Sequence, residues 1–182
     1  MTKGRVRRIR ADEGEKVRAL RLEATADPDA AIAFLTTSAE EEARDAAFWS
    51  DRAATGADGD SVAQFVLLSG EEWVGTATVL RRRPGSIDHL GRLVGADRAD
   101  VVGVYVRPTH RGTGGIDALL DAAAAWAAGH GDPALTLDVH EDNTRAQRAY
   151  ARAGFRPTGI RFTSQIGPEL EMSRPLRPSP LG

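Results

Sequence analysis

Along this chain the spacing of apolar positions switches between a period of two and a helical period, and the switches mark the predicted elements. Residues 101–106 form a run of β-branched and aromatic side chains that is typical of a buried strand, which Pro108 ends. A glycine-rich turn then leads into a helix predicted over 113–128; its glycines are Gly112, Gly114 and Gly115. This arrangement favours phosphate binding, because backbone N–H groups and the helix dipole converge at the helix N-terminus.

The rest of the pattern predicts further strands and helices around this segment. We expect strands at 5–10, 61–69, 73–82, 135–139, 155–162 and 170–176. We expect helices from Asp12, over 39–54 and from Asn143, the last with a capping box of Thr144 and Gln147. A short turn between the strands at 61–69 and 73–82 predicts an antiparallel hairpin. The order predicts an α/β chain with a mixed sheet and helices on its faces.

Composition narrows the classes of protein to which the chain can belong. Its 182 residues predict one domain over 1–176 and a proline-rich flexible tail over 177–182. A net charge of −2 argues against a nucleic-acid-binding face across the whole domain. The absence of cysteine removes thiolate nucleophiles, disulfides and cysteine-ligated zinc. No apolar run is long enough to span a membrane, and no apolar segment follows the basic N-terminus, so we expect a cytoplasmic protein.

The glycine-rich turn does not match the two commonest phosphate-binding motifs. A P-loop requires a lysine after its glycines, and none follows here. A dinucleotide fingerprint starting at Gly112 would end at Asp117, whose carboxylate would oppose a pyrophosphate.

Two blocks of the sequence instead resemble the GNAT family of N-acetyltransferases. Residues 104–115 resemble its acyl-CoA-binding motif, Q/R-x-x-G-x-G/A, with Arg111 and Gly114 in place and Ile116 where glycine or alanine is usual. Residues 137–155 resemble the downstream strand and helix block, with an asparagine, a tyrosine seven residues later and a Gly-Phe pair. The resemblance implies a mostly antiparallel sheet of six to seven strands with about four helices, whose central strands splay at the acyl-CoA site.

The resemblance also implies how acetyl-CoA is bound. The backbone N–H of Val104 would stabilise the oxyanion, and the backbone of Val106 would pair with the pantetheine arm. Asn143 would contact the pantetheine or cap its own helix. Backbone amides from Arg111 to Ile116 would hold the pyrophosphate, with Arg107 adding charge; these are Arg111, Gly112, Thr113, Gly114, Gly115 and Ile116. Because backbone donors tolerate a changed side chain, Ile116 is expected to weaken or reshape this site rather than to abolish it.

For catalysis, Tyr150 matches the family's general acid, which protonates the departing thiolate and can also contact the cofactor. Asp100 stands where some members carry a glutamate base, and it would act through water or serve as a solvated carboxylate at the strand end. Weaker base candidates are Glu72, Asp138, His140 and Glu141. No ligand spacing supports a metal, and none is expected.

The leading hypothesis is therefore direct transfer of an acetyl group from acetyl-CoA to a primary amine of a small molecule or peptide. The alternatives are a catalytically weak acyl-CoA-binding or sensor domain, and a polyanion- or protein-binding module that uses the arginines at 81–83. No nucleic-acid or membrane partner is expected. Phe48 and Trp49 either pack in the core or line the acceptor cleft. Homodimers are common in the family, and the sequence neither requires nor excludes one.

Overall fold

A seven-stranded mixed sheet runs through the protein, whose computed structural model describes residues 4–177. The strands are β1 (Arg5–Arg8), β2 (Val62–Ser69), β3 (Glu72–Arg82), β4 (Arg98–Val106), β5 (Ala134–His140), β6 (Arg156–Ser164) and β7 (Gly167–Pro175). Their order in the sheet is β1-β2-β3-β4-β5-β7-β6. Every neighbouring pair is antiparallel except β4 and β5, which are parallel. The predicted mixed sheet and its hairpin of β2 and β3 are confirmed.

Helices cover both faces of this sheet in the described part of the chain. They are α1 (Gly14–Thr25), α2 (Ser38–Glu42), α3 (Ala46–Asp58), α4 (Gly115–Gly129) and α5 (Thr144–Arg152). Two short 3-10 turns, Ala30–Ile32 and Pro108–His110, complete the secondary structure. The sheet therefore has two buried sides rather than one face open to water.

The single helix predicted over 39–54 was wrong, because local caps divide it in two. Thr37 and Glu40 form a capping box at the start of α2. Asp45 then starts α3 by accepting a hydrogen bond from the backbone N–H of Phe48. The predicted capping box of Thr144 and Gln147 was also wrong, since Asn143 caps α5 by accepting from the N–H of Ala146.

The two faces of the sheet pack against different helices. On one face, α4 buries Leu119 and Leu120 against β5, whose Leu135 and Leu137 point to the same core as Phe155. On the other face, α1 and α3 bury a second core; it contains Val17, Leu20, Phe34, Trp49 and Tyr105. Trp49 is fully buried, with Phe48 against its ring edge, so this aromatic pair packs in the core.

The sheet is weakest at its centre, between β4 and β5. Their ladder contains two residue pairs, Ala99 with Leu135 and Asp100 with Thr136. Beyond Asp100 the two parallel strands diverge, so one edge of β4 has no strand partner over residues 101–106. Arg111 donates a hydrogen bond to the backbone oxygen of Val106, and the other backbone polar groups along that edge are left for another partner to satisfy.

The domain bounds and the flexible tail predicted from the sequence remain predictions. The domain bounds of 1–176 are not tested, and residues 178–182 of the predicted tail lie outside the described residues. Within residues 4–177, no helix combines the length and the apolar character needed to cross a membrane.

Candidate functional site

The divergence of β4 and β5 opens a cavity of about 570 Å³ at the centre of the sheet. Residues 101–106 of β4 form one wall, and residues 137–140 of β5 form the other. The segment after α1 closes one side through Asp27, residues 29–30 and residues 32–35, and α5 closes another. Polar and apolar groups from distant parts of the sequence therefore meet where two strands lose their pairing.

A β-bulge shapes the wall formed by β4. Thr76 pairs with Tyr105 and Thr78 pairs with Val102, so Gly103 and Val104 together face the one residue between the two threonines. Gly103 has a φ of +61°, a conformation that glycine adopts without steric cost. The bulge takes Val104 out of the regular ladder with β3, at the point where β4 has already left β5. Its backbone is thereby free to serve a ligand in the cavity.

The N-terminus of α4 is an open set of backbone donors. Gly114 precedes the helix with a φ of +82°, and no side chain caps it. The first N–H groups of the helix therefore lack intrahelical partners. A Cβ at Gly115 would lie 2.5 Å from the Cδ2 atom of Leu67, so a larger residue there would require the Leu67 side chain to move. Ile116 lines the cavity and packs partly on the core, so the departure from the family motif changes a side chain and not the backbone donors.

The two arginines that flank the turn are held by carboxylates. Arg111 donates to Asp27 at 2.5 Å and to the backbone oxygen of Val106 at 2.8 Å. Arg107 instead pairs with Glu23 at 2.7 Å and with Glu72. Arg111 therefore faces the cavity, whereas Arg107 is engaged outside its lining.

Tyr150 brings a phenol into the cavity from α5. Its ring packs 6.1 Å from that of Phe155, measured between centroids. Burial raises the pKa of Tyr150 to about 12. At neutral pH the hydroxyl is therefore a proton donor, and no group among residues 4–177 is recorded in a hydrogen bond with it.

The structure gathers most, but not all, of the residues predicted to bind the cofactor. Those that line the cavity are Val104, Val106, Arg111, Gly112, Ile116, Asn143 and Tyr150. Those outside its lining are Arg107, Thr113, Gly114 and Gly115. Asn143 uses its side-chain oxygen to cap α5, and its Nδ2 atom donates a hydrogen bond of 3.5 Å to the backbone oxygen of Ile32.

Asp100 is placed away from the cavity. It lies in the paired segment of β4 and β5 and is almost completely buried. One carboxylate oxygen accepts hydrogen bonds from Arg98 at 2.6 Å and Thr136 at 2.5 Å, and Arg82 lies 3.9 Å from the other oxygen. These contacts make Asp100 a charge partner inside the sheet, and no part of it lines the cavity.

Asp138 lies on β5, two residues beyond Thr136, which is the residue paired with Asp100. Unlike Asp100, Asp138 lines the cavity. Its Oδ2 atom accepts a hydrogen bond from Arg92 at 2.8 Å, and its buried Oδ1 atom has no partner in the described residues. Burial raises the pKa of Asp138 to about 6, against the opposing effect of Arg92. A carboxylate with this pKa can exchange a proton near neutral pH.

The other weak base candidates are engaged elsewhere. Glu72 and Glu141 are bound by Arg107 and Arg161, and neither lines the cavity. His140 lines the cavity, but its Nδ1 atom is 3.1 Å from the backbone nitrogen of Asp142.

Several side chains in the cavity carry no sequence signal. Arg52 enters from α3, and Arg148 and Arg152 enter from α5. Glu169 enters from β7, where it pairs with His140 across the sheet. Helix periodicity does not reveal which polar residue faces a cavity, and the position of Glu169 depends on the register between β5 and β7.

Family comparison agrees with this arrangement. The sequence profile of the Acetyltransferase (GNAT) family matches residues 22–155. The chain belongs to the GNAT acetyltransferase family. The matched segment contains the bulge of β4, the N-terminus of α4 and Tyr150.

Relatives of this GNAT protein agree in sequence and in fold. An uncharacterized N-acetyltransferase of Mycobacterium tuberculosis is 37% identical over 93 residues, which span 50% of this chain and 59% of the relative. The GNAT domain of PAT from S. lividans has a TM-score of 0.70 at 22% identity, covering 95% of this chain and 90% of the other. A phosphinothricin acetyltransferase of Sinorhizobium meliloti, solved with acetyl-CoA, has a TM-score of 0.72 at 17% identity, covering 98% and 94%. The structural likenesses show the GNAT fold.

The tri-arginine segment 81–83 of this GNAT protein is engaged by neighbouring carboxylates. Its partners, in chain order, are Asp132 at 2.5 Å, Asp100 at 3.9 Å and Asp97 at 3.1 Å. These ion pairs occupy the charges on which the hypothesis of a polyanion-binding module depends.

Proposed function

We propose that this protein transfers the acetyl group of acetyl-CoA directly to a primary amine of a small-molecule or peptide acceptor. The observation that carries the proposal is the open edge of β4, with Val104 and Tyr150 facing the same cavity. The open N-terminus of α4 offers unpaired N–H groups and a favourable dipole to the pyrophosphate of coenzyme A, and these act against the opposing charge of Asp117 in the same turn. The unpaired edge of β4 fits the amide-containing pantetheine arm, which can complete the hydrogen bonds that β5 does not make.

The chemistry requires three groups around the acetyl carbonyl. The amine must lose a proton, and we assign this step to Asp138, because it lines the cavity and its pKa of about 6 suits proton exchange near neutral pH. Asp100, the base suggested by the resemblance, is engaged by Arg98 and Thr136 and does not line the cavity. As the C–N bond forms, the N–H of Val104 stabilises the negative charge on the carbonyl oxygen.

Tyr150 completes the proposed transfer by donating its proton to sulfur as the C–S bond breaks. Its pKa of about 12 keeps the phenol protonated until a thiolate forms beside it. An acceptor that starts as an ammonium loses two protons from nitrogen: Asp138 passes one to solvent, and the other, released as the amide forms, restores Tyr150 through water. The products are an N-acetylated acceptor, the free thiol of coenzyme A and one proton.

The test measures the release of the coenzyme A thiol from acetyl-CoA in the presence of each amine in a panel. Calorimetry measures the binding of acetyl-CoA itself. We expect saturable acetyl-CoA binding and thiol release that depends on the amine. Binding without thiol release for any amine would favour the alternative of a catalytically weak acyl-CoA sensor. Failure to bind acetyl-CoA would overturn both readings.

A further inference from the structure

Arg52 brings a positive charge to the cavity without an acidic partner. It projects from α3, and its guanidinium carbon lies 5.9 Å from the centre of the Trp49 ring. No carboxylate among residues 4–177 is within ion-pair distance of it. The acid that acts on it most is Glu41, whose two oxygens already accept hydrogen bonds from Arg21, Thr36 and Arg44.

The surroundings of Arg52 disfavour an uncompensated cation. Burial lowers the pKa of the Arg52 guanidinium, and the positive charge of Arg21 lowers it further. Arginine nevertheless stays protonated in proteins, so the charge persists. Arg52 is partly buried, so its unpaired charge is less well solvated than in water, and an anionic ligand in the cavity would offset that loss.

The position of Arg52 separates it from the predicted pyrophosphate site. Arg52 and Arg21 border a small void with Thr78 and Gly103, on the face of the sheet that packs against α1 and α3. The glycine-rich turn follows the far end of β4, and α4 packs on the opposite face. An anion bound by Arg52 would therefore lie on the opposite face of the sheet from the predicted pyrophosphate site.

Two buried carboxylates lie on the opposite wall of the cavity, one of them paired with Arg92. Asp138 on β5 and Glu169 on β7 each have a buried carboxylate oxygen without a partner in the described residues. Asp138 pairs across the sheet with Glu171, and His140 pairs with Glu169, so these side chains share one face. An ammonium group is favoured beside Asp138 and Glu169, and an anion is favoured beside Arg52.

Both regions border the same cavity, so one small dipolar molecule can contact them together. Arg52 lies beside Gly103 of β4, and Asp138 lies on β5, the next strand in the sheet. These two strands form opposite walls of the cavity of about 570 Å³, which both side chains line. An acceptor that carries an amine and a carboxylate can present one charge to each side.

We propose that the acceptor carries a carboxylate as well as its amine, as an amino acid does, and that Arg52 binds this carboxylate. The inference rests on the proposed acetyl transfer and names the class of its acceptor. The same chemistry occurs in free amino acids and in short peptides with a free C-terminus, and the two differ in the distance between amine and carboxylate.

The experiment compares amino acids with their carboxamides, and dipeptides with their amides, as acceptors of acetyl-CoA. We expect the unmodified protein to prefer each acid over its amide by roughly tenfold or more in kcat/KM, because the charged hydrogen bond is absent from the amide. Arg52→Gln should reduce this ratio toward one through a higher KM for the acids. Arg52→Lys should keep part of the ratio, and Arg5→Gln, which changes an exposed arginine on β1, should keep all of it. The series with the larger ratio shows whether free amino acids or short peptides are the class of acceptor that the site fits.

A second readout does not depend on turnover. Calorimetry with coenzyme A present should show tighter binding of N-acetyl amino acids than of their carboxamides, and Arg52→Gln should remove the difference. Equal use and equal binding of acids and amides by the unmodified protein would overturn the proposal. An Arg52→Gln variant that is impaired equally with both would also overturn it, since that pattern indicates a structural role. Preferential binding of the acids without thiol release would support the anion site and contradict the proposed transferase activity.

Discussion

Tyr150 and Tyr105 are the two tyrosines of the chain, and their hydroxyls have different environments. The Tyr105 hydroxyl lies 3.1 Å from the Glu23 carboxylate, to which it donates a hydrogen bond. Burial raises the pKa of both phenols to about 12, but only Tyr105 has a recorded acceptor among the described residues. Of the two phenols, Tyr150 is therefore the one whose hydroxyl hydrogen has no acceptor among the described residues.

Replacing Tyr150 with Phe removes this proton and little else. We expect kcat to fall by roughly 10²- to 10⁴-fold, the usual contribution of a general acid, while the Kd of acetyl-CoA is maintained. Stopped-flow thiol detection and calorimetry measure the two quantities. Tyr105→Phe is the matched control and should retain kcat. Equal losses of kcat in the two variants would contradict the assignment.

Asp138 makes the reaction dependent on pH in a defined direction. A general base acts in its deprotonated form, and the pKa of Asp138 is raised to about 6. We therefore expect kcat/KM to fall as the pH decreases through about 6, with little loss on this limb above pH 7. A pH profile of thiol release at subsaturating acceptor measures this limb.

Asp138→Asn tests the same residue by substitution. The variant keeps the shape of the side chain and should lose roughly 10²- to 10⁴-fold in kcat, together with the acid limb near pH 6. Asp100→Asn provides the comparison, because its carboxylate is also paired with arginine but does not line the cavity. If Asp100→Asn removed the limb and Asp138→Asn retained it, the base would be Asp100.

The bulge of β4 depends on one left-handed residue. A Cβ at Gly103 would have ample space, since its nearest neighbour is a guanidinium nitrogen of Arg21 at 4.0 Å. The requirement for glycine is therefore its φ of +61° and not a close contact. Any other residue would favour straightening the strand and returning Val104 to the ladder.

Gly103→Ala should therefore affect both stability and activity. We expect a loss of about 1–2 kcal/mol in the free energy of unfolding, together with a clear decrease in kcat. Gly70→Ala is the control, because Gly70 has a φ of +60° in the β2–β3 turn and open space around it. It should show a similar loss of stability by urea denaturation and an unchanged kcat. Unchanged activity in Gly103→Ala would separate the bulge from catalysis.

The elements themselves were largely predictable, because alternation and helical spacing depend on neighbouring residues. The two strands of the hairpin and the turn before α4 could be located in this way. The division of 39–54 into two helices depended on which of several acidic residues becomes a cap. The bulge and the position of Glu169 depended on registers between strands that are distant in sequence. Arg52 could not be assigned to the cavity before the packing of α3 was known.

Stability of the whole molecule should depend on Glu13 in acid. Hydrogen bonds from Arg7, at 2.8 and 2.6 Å, lower the pKa of Glu13 to about 2, with burial opposing the shift. A carboxylate whose pKa is lower when folded stabilises the protein above its unfolded pKa. That contribution is lost as the pH falls from about 4.5 to about 2.

Glu13→Gln should cost about 1–3 kcal/mol in the free energy of unfolding at pH 7. The difference from the unmodified protein should shrink as the pH decreases toward 2. Urea denaturation at a series of pH values measures both quantities. Glu15→Gln changes an exposed glutamate in the same helix and should have little effect at any pH. A difference that is independent of pH would assign the loss to packing alone.

Because β4 and β5 pair over two residue pairs, few hydrogen bonds join the two halves of the sheet at its centre. A ligand that contacts both strands would connect the half formed by β1–β4 with the half formed by β5, β7 and β6. Its binding free energy would therefore add to the free energy of unfolding of the whole protein. At a concentration one hundred times its Kd, acetyl-CoA should contribute about 2.7 kcal/mol and raise Tm by roughly 5–10 °C. A thermal melt could then rank acyl donors and acceptors before any turnover is measured.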